Sequence, residues 1–129
     1  MTSEKMSKSV FTEIPKEQRL HESAHFYVVP DKYPVSPGHL LIISRRHCTD
    51  FFELNKDEQA ELPSLILKAK ELIEQTHSPD GYNIGMNCGE AAGQTVFHFH
   101  CHVIPRYEGY MDDPRCGMRH SVDGKGYYK

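Results

Sequence analysis

Hydrophobic residues form short runs in some segments of the chain and a helical stripe in another. Runs rich in β-branched and aromatic residues occupy residues 26–29 and 39–44, and a segment with several prolines separates them. Because proline and glycine are typical turn residues, these two runs predict an antiparallel hairpin. Residues 82–86 and 96–104 predict two further strands, joined by a glycine-bearing loop over residues 87–94.

A different period begins at Lys56 and continues to Thr76, with apolar residues at the i, i+3, i+4 spacing of an amphipathic helix. They are Leu62, Leu65, Ile66, Ala69, Leu72 and Ile73. Asn55 is placed to cap this helix, and Glu58 completes a capping box. Pro63 would delete a backbone hydrogen bond, so we expect a kink there or a helix that starts close to it. One long helix on a small antiparallel sheet of about five strands predicts an α+β fold.

Length and composition indicate one globular domain. The 129 residues are within the usual length of a single domain, and 38% hydrophobic with 26% charged residues excludes disordered and fibrous proteins. We expect polar residues 1–9 to form a flexible tail and residues 10–110 to form the folded domain. Residues 111–129 lack periodicity and predict a C-terminal loop and tail that could contact a substrate.

The net charge and the cysteines limit which binding partners and which cellular compartment we expect. A net charge of −3 gives no electrostatic reason to expect nucleic acid or an anionic membrane as a partner. The longest apolar run, residues 40–43, is far shorter than the roughly 20 residues of a membrane span. The polar first residues lack the apolar segment of a secretory signal. We therefore expect the four cysteines, which form no CxxC pair, to be free thiols in a cytoplasmic protein.

The last predicted strand carries the candidate chemistry, because its residues alternate between histidine and other side chains. Successive side chains on a strand point to opposite faces. The core face then receives Phe97, Phe99, Cys101 and Val103, and the other face receives His98, His100 and His102. Imidazole titrates close to neutrality, so such a row can supply a nucleophile, a proton carrier and a hydrogen-bond donor. A neutral imidazole nitrogen can also attack phosphorus and leave again.

Other interpretations of this strand stay open. The three histidines could be solvated side chains on the outer face of an edge strand. They could also bind a metal, since an HxH pair can bring two imidazoles to one zinc ion, with His39 or His47 as a third ligand. A cysteine nucleophile is disfavoured, because strand parity places Cys101 on the opposite face from His100 and His102.

The residues just before this strand favour phosphoryl chemistry. Gly93, Gln94 and Thr95 supply a side-chain amide, a hydroxyl and exposed backbone N–H groups. A glycine-containing turn of this kind can hold phosphate oxygens. Beside a histidine nucleophile, it predicts the oxyanion site that phosphoryl or nucleotidyl transfer requires.

The run from Gly93 to Arg106, GQTVFHFHCHVIPR, resembles the signature of the histidine-triad (HIT) superfamily of nucleotide hydrolases and transferases. That signature is His-φ-His-φ-His-φ-φ, where φ is an apolar residue. Pro37-Gly38-His39 and the apolar residues after it resemble the superfamily's earlier Pro-Gly-His strand. The resemblance extends from about Phe11 to Arg106, which is most of the chain.

The resemblance implies a covalent mechanism centred on the middle histidine. His100 would attack the α-phosphorus of a bound nucleotide and form a nucleotidyl-histidine intermediate, which water then cleaves. His102 and Gln94 would contact the phosphate, with Thr95 and Asn87 beside it.

The same resemblance implies roles for residues around the nucleophile. His98 and His39 would orient it. Asp31 falls where members of the superfamily place an Asp or Asn on the ribose hydroxyls. The base would lie between apolar side chains of the first hairpin, for which we select Phe26 and Ile42.

The chain departs from the superfamily pattern in two places. Many bacterial members begin with a CxxC that helps bind a structural zinc, but the corresponding stretch here, Ser9 to Thr12, has hydroxyls at both ends. Hydroxyls are poor zinc ligands, so His47 loses its expected partners, and we predict no metal and no cofactor. The second departure is the tail after residue 110, where substrate choice is set in the superfamily. Its cationic residues include Arg115, Arg119 and Lys125, which could reach a polyphosphate or simply be solvated.

The resemblance is closest to the fragile-histidine-triad branch, which cleaves dinucleoside polyphosphates. It implies a diadenosine polyphosphate hydrolase that releases AMP, and a homodimer whose sheets join across the interface. A nucleoside phosphoramidate hydrolase of the same superfamily is the alternative. A non-catalytic nucleotide-binding module and a zinc-binding protein are alternatives from other classes.

Overall fold

The computed structural model describes residue 11 and residues 14–109. Within this part of the chain the elements are β1 (His21–Glu22), β2 (Phe26–Pro30), β3 (Leu40–Ser44), α1 (Lys56–Glu74), β4 (Gly81–Gly85) and β5 (His100–Arg106). The strands form one sheet in the order β1-β2-β3-β5-β4, and every neighbouring pair is antiparallel. The structure therefore confirms the predicted α+β fold with a five-stranded antiparallel sheet and one helix.

Strands β2 and β3 form the predicted hairpin. Their register pairs Phe26 with Ser44 and Pro30 with Leu40. Just beyond the strands, the Asp31 N–H donates to the His39 carbonyl at 3.0 Å, which continues the ladder by one step. This contact places Asp31 and His39 side by side at the start of the proline-rich loop.

Helix α1 begins where the capping box predicts. The Asn55 side chain accepts from the Glu58 N–H, and the Glu58 carboxylate accepts from the Asn55 N–H. Arg46 also binds the Glu58 carboxylate, at 2.9 Å. The helix runs continuously through Pro63, so the alternative that it starts near this residue is wrong. Pro63 is exposed, and therefore its ring lies on the solvent side of the helix.

The two faces of the sheet carry separate apolar clusters. The helix face packs Phe26, Val28, Leu40, Ile42, Phe99, Cys101 and Val103 against α1. The opposite face holds Tyr27, Val29, Leu41 and Ile43, with Phe11 and Ile14 packed on them. We call this second surface the histidine face, because the His100 and His102 side chains also point to it. Both faces of β3 are thus covered, which explains why all five of its residues are buried.

Strand β5 differs from its prediction of residues 96–104. It begins at His100, because the Phe99 N–H instead donates to the Cys48 carbonyl at 2.7 Å. It extends to Arg106 because Pro105, which lacks an N–H, lies beyond the last residue that β3 pairs. The prediction that Phe97 faces the core is also wrong. Phe97 precedes the strand and is 43% exposed.

Two smaller findings complete the fold. The sequence did not predict β1, a two-residue strand on the edge of the sheet. No helix among the described residues has both the length and the apolar character needed to cross a bilayer. The predicted tails, residues 1–9 and 111–129, lie outside the described residues.

Candidate active site

The register of the central strands brings two of the three triad histidines onto one surface. His100 pairs with Ile43 and His102 pairs with Leu41, so these side chains share the histidine face. On its other side His102 pairs with Gly85 of β4, which has no side chain to cover it. At this register position, therefore, no side chain of β4 covers His102.

His100 is held in one tautomer. Its Nδ1 lies 2.8 Å from the His98 carbonyl oxygen. A carbonyl can only accept, so Nδ1 carries the proton and Nε2 carries the free lone pair. The ring is half-buried and meets the edge of Phe11, with centroids 4.9 Å apart. This is the arrangement that a nitrogen nucleophile at Nε2 needs.

His98 lies beneath the site rather than on its surface. Its ring is 0% exposed, and Nε2 donates to the Ser44 carbonyl at 2.7 Å. The His47 ring stacks on it with centroids 4.8 Å apart. Burial lowers the pKa of His98, against the opposing effect of the Ser44 carbonyl, so this ring is neutral. His98 therefore orients His100 through its backbone carbonyl, and the Ser44 carbonyl that anchors it was not predicted from the sequence.

His39 and His102 form a second hydrogen-bonded pair. The Val35 N–H donates to Nδ1 of His39 at 3.2 Å, which leaves the proton of a neutral ring on Nε2. That Nε2 lies 2.9 Å from Nδ1 of His102, so His39 donates and His102 accepts. The remaining proton of neutral His102 is then on Nε2.

Burial keeps both rings of this pair neutral. It lowers the pKa of His39, and the nearby Asp31 carboxylate opposes this effect. For His102, burial acts together with the neighbouring His100 and His39 and lowers the pKa to about 4. At neutral pH, His102 is therefore a hydrogen-bond donor through Nε2 and carries no charge.

Asp31 contacts this histidine pair. Its Oδ1 accepts from the Tyr33 N–H at 2.9 Å, and its Oδ2 lies 3.2 Å from Nε2 of His39 and 3.7 Å from Nδ1 of His102. The predicted contact between Asp31 and ribose hydroxyls stays a prediction.

Three atoms of metal-ligand type also lie within 4.8 Å of one another, one each from Asp31, His39 and His102. The two ring centroids are 5.1 Å apart, close to the 2.9 Å hydrogen bond plus one ring radius on each side. The N–H of His39 thus points almost straight at its acceptor. A metal ion would have to replace that proton and turn both rings, so the geometry favours the hydrogen bond.

The predicted phosphate loop is built differently from its prediction. The Gln94 side chain is buried: its amide group donates to the Thr49 and Val96 carbonyls at 2.6 and 3.1 Å, and its oxygen accepts from the Gly89 N–H at 2.7 Å. Gln94 therefore shapes the loop from within, and its predicted contact with phosphate stays a prediction.

The backbone of this loop is also partly occupied. The N–H groups of Gly93 and Gln94 donate to the carbonyls of Glu90 and Gly89. Gly93 has a positive φ of 95°, which favours glycine at this turn. The Asn87 side chain lies against Gly93, and both Asn87 and Thr95 are exposed. These two residues remain the candidate phosphate contacts of the loop.

The two predicted base-binding residues do not join the site. Phe26 and Ile42 are both 0% exposed and pack under α1, on the opposite face of the sheet from His100. Strand parity could have shown this, because Ile42 pairs with Cys101 and not with a histidine. The apolar residues that share the histidine face are their sequence neighbours Tyr27, Val29, Leu41 and Ile43.

His47 occupies the position where the resemblance implies a lost zinc ligand. Its Nε2 donates to the Phe97 carbonyl at 3.1 Å, and its Nδ1 is buried with no partner among the described residues. Ser9, Thr12 and the cationic residues of the C-terminal tail lie outside those residues. The absence of a bound metal stays a prediction.

Comparison with known proteins identifies the family. The HIT domain matches residues 12–109, which is most of the chain. This chain belongs to the HIT family. The five histidines described above, His39, His47, His98, His100 and His102, thus lie in a HIT domain, and the predicted superfamily is confirmed.

Two relatives show how much of this chain is shared with other HIT proteins. An uncharacterized HIT-like protein of Mycoplasma genitalium is 39% identical over 93 residues, which are 70% of this chain and 64% of that protein. An AP-4-A phosphorylase of Mycobacterium tuberculosis is 37% identical over 105 residues, which are 77% of this chain and 54% of that protein. This chain therefore spans less than two thirds of the length of either relative.

Solved structures agree with the fold. A crystal structure of a HIT family protein from Bacillus anthracis matches with a TM-score of 0.73 at 30% identity, covering 96% of this chain and 81% of that one.

Proposed function

We propose that this chain cleaves dinucleoside polyphosphates at the α-phosphate through a nucleotidyl intermediate on Nε2 of His100. The observation that carries the proposal is the 2.8 Å bond from His100 Nδ1 to the His98 carbonyl, which leaves the Nε2 lone pair free. The relative named as an AP-4-A phosphorylase supports this class of substrate.

In the first step, Nε2 of His100 donates its lone pair to the α-phosphorus. The bond from that phosphorus to the bridging oxygen breaks, and its electron pair leaves with the polyphosphate. The modified imidazole carries a positive charge, and the hydrogen bond to the His98 carbonyl stabilises that charge. Water then attacks phosphorus and releases one proton to solvent, the P–N bond breaks, and its electron pair returns to Nε2 as AMP leaves.

His102 favours a leaving group that departs as an anion. With a pKa of about 4 it is neutral at pH 7, and its Nε2–H can donate to the departing oxygen without giving up its proton. A polyphosphate leaves in that form, whereas an amine must be protonated to leave. Adenosine phosphoramidate hydrolysis, the alternative, would use the same nucleophile but gains less from a neutral His102.

Other residues then have supporting roles. Asn87 and Thr95 are proposed to contact the phosphate oxygens, and the Gln94 amide holds their loop. His39 acts by holding His102.

A trapping experiment tests the nucleophile. Diadenosine tetraphosphate labelled at the α-phosphate is mixed with protein and quenched in base, and acid-labile label is mapped by peptide sequencing. We expect label on His100 and, for His100→Ala, loss of label and a fall in turnover on the order of 10⁴-fold. His21→Ala, which changes a histidine on β1, is the matched control and should keep both. Label elsewhere, or turnover retained by His100→Ala, would contradict the mechanism.

The same assay separates the remaining alternatives. Release of AMP without added phosphate indicates hydrolysis, whereas release of ADP on adding inorganic phosphate indicates transfer to phosphate. Turnover that survives a strong chelator excludes a zinc-centred reaction, and any His100-dependent turnover excludes a non-catalytic module. Comparing kcat/KM for diadenosine tetraphosphate and an adenosine phosphoramidate decides the substrate branch.

A further inference from the structure

We infer that Asp31 is a positioning residue that fixes the tautomers of His39 and His102 and so keeps a proton on Nε2 of His102. This inference deepens the proposed function and rests on it for its catalytic consequence. The resemblance implies only a ribose contact for Asp31. The geometry points instead to the histidine pair.

The hydrogen bonds along this chain of residues leave one consistent assignment of protons. The Val35 N–H is a fixed donor to Nδ1 of His39, so this nitrogen must accept. His39 therefore donates through Nε2, and His102 accepts through Nδ1 at 2.9 Å. Each ring therefore carries its hydrogen on Nε2. The hydrogen on Nε2 of His102 points away from His39.

Asp31 supports the assignment at its weakest point, the N–H of His39. That N–H points to Nδ1 of His102 at 2.9 Å, and Oδ2 of Asp31 lies beside it, 3.2 Å from Nε2. A carboxylate oxygen at this distance attracts the partial positive charge of the N–H and would repel a bare Nε2 lone pair, so it favours hydrogen on this nitrogen. The carboxylate is itself held, because its Oδ1 accepts from the Tyr33 N–H at 2.9 Å. His39 is 3% exposed, so few water molecules can replace this contact.

An amide cannot take the place of this carboxylate. Oδ1 of Asp31 accepts from the Tyr33 N–H, and Oδ2 lies 3.2 Å from Nε2 of His39, the nitrogen that carries hydrogen. Asn has one acceptor and one donor group, so it must oppose either Tyr33 or His39 with an N–H. Turning that N–H to His39 would favour the tautomer with a bare Nε2, and His39 could no longer donate to His102. Asp31→Asn is thus nearly isosteric and changes only the pattern of donors and acceptors.

The catalytic consequence depends on the leaving group. With hydrogen on Nε2, His102 can donate to the oxygen that gains the electron pair when the α-phosphate bond breaks. A weakly basic leaving oxygen, such as that of a polyphosphate or of p-nitrophenolate, needs little of this help, whereas the more basic oxygen of phenolate needs more. A ribose contact by Asp31 would instead affect all adenosine substrates equally. The two roles are therefore distinguishable by kinetics.

The kinetic test compares kcat/KM of wild type and Asp31→Asn on two substrates with the same adenosine group. We expect the loss on the phenyl ester of AMP, which has the more basic leaving oxygen, to exceed the loss on the p-nitrophenyl ester of AMP by at least about tenfold. Asp80→Asn is the matched control, because Asp80 also accepts a backbone N–H, from Glu108 at 2.9 Å. It should leave both values unchanged. Equal losses on the two substrates in Asp31→Asn would overturn the positioning role.

A spectroscopic test needs no substrate. Two-bond ¹H–¹⁵N correlation spectra of the histidine rings report which nitrogen is protonated, with peaks assigned from single-histidine variants. In wild type, His39 and His102 should both have hydrogen on Nε2, and Asp31→Asn should shift at least one of them toward Nδ1. Hydrogen on Nδ1 of either ring in wild type, or unchanged tautomers in the folded variant, would overturn the inference. If Asp31→Asn does not fold, the spectrum of Asp31→Ala, which also removes the carboxylate, decides in its place. An unlabelled His100 in the trapping experiment would count against the proposed function separately.

Discussion

Single hydrogen bonds give chemically identical histidines opposite roles in this protein. Nδ1–H of His100 donates to the His98 carbonyl, which leaves the lone pair on Nε2 for the proposed nucleophilic attack. His39 donates a hydrogen bond to Nδ1 of His102, so His102 carries its own hydrogen on Nε2 and donates from there. The two rings are only 5.2 Å apart. The difference in role therefore comes from the partner of each Nδ1 and not from the side chain itself.

Burial of these neutral rings makes stability depend on pH. The pKa values of His39, His98 and His102 are lowered in the folded state, whereas in the unfolded chain they return to about 6.5. Below pH 6.5 the unfolded chain therefore binds more protons than the folded one, and acid favours unfolding. The stabilisation is complete above pH 6.5 and is lost as the pH falls toward 4.

We therefore expect the free energy of unfolding in urea to fall between pH 7 and pH 4.5, with His102 contributing about 1–3 kcal/mol. His102→Gln should flatten this slope, because the variant has no group at this position that titrates in the window. His21→Gln, on the edge strand β1, serves as the control and should keep the slope. A slope that is the same in His102→Gln as in wild type would show that burial of this ring does not act as described.

Helix α1 has a well-capped N-terminus, but its interior contains Pro63, a residue of low helix propensity. The Asn55–Glu58 capping box and the Arg46 ion pair fix where α1 begins, and buried residues at helical spacing attach it to the sheet. Pro63 removes one hydrogen bond from the middle of the helix. Tertiary packing of the apolar stripe therefore outweighs the local penalty, which is why the helix continues through a residue that usually ends one.

Replacement of this proline should stabilise the protein. Pro63 is exposed, so Pro63→Ala restores an N–H that can donate to the Gln59 carbonyl without creating a cavity. We expect the free energy of unfolding to rise by about 1–3 kcal/mol, measured by urea denaturation at pH 7. Ser64→Ala, at the adjacent exposed position, is the matched control and should change stability by much less. A loss of stability in Pro63→Ala would mean that the proline ring itself is needed for packing.

Among residue 11 and residues 14–109, β4 is an edge strand of the sheet with no further strand beside it, and its Ile84 is 43% exposed. The resemblance implies a homodimer whose sheets join, and this edge is a suitable place for such a contact. We expect light scattering after size exclusion to give twice the chain mass of 14.8 kDa. Ile84→Lys should weaken the dimer, and Val35→Lys, at an exposed loop position, should not. A monomer at micromolar concentration would contradict the prediction.

Local patterns were enough to predict much of this fold. The hairpin, the helix start at Asn55 and the position of His100 all depend on residues close together in sequence, so turn chemistry, capping and strand parity could predict them. The predictions failed where a partner is distant in sequence. The Phe99 N–H bonds to Cys48 and the Gln94 amide bonds to Thr49, and neither contact leaves a local signal.

By itself, the sequence determined that a row of histidines shares a strand with apolar residues, because alternation in a strand follows from backbone geometry alone. Only the tertiary structure decided which face of the hairpin those histidines join. It therefore excluded Phe26 and Ile42 and placed Asp31 on His39. Proton positions depend on which donor and acceptor atoms meet across strands, and that information exists only once the chain has folded.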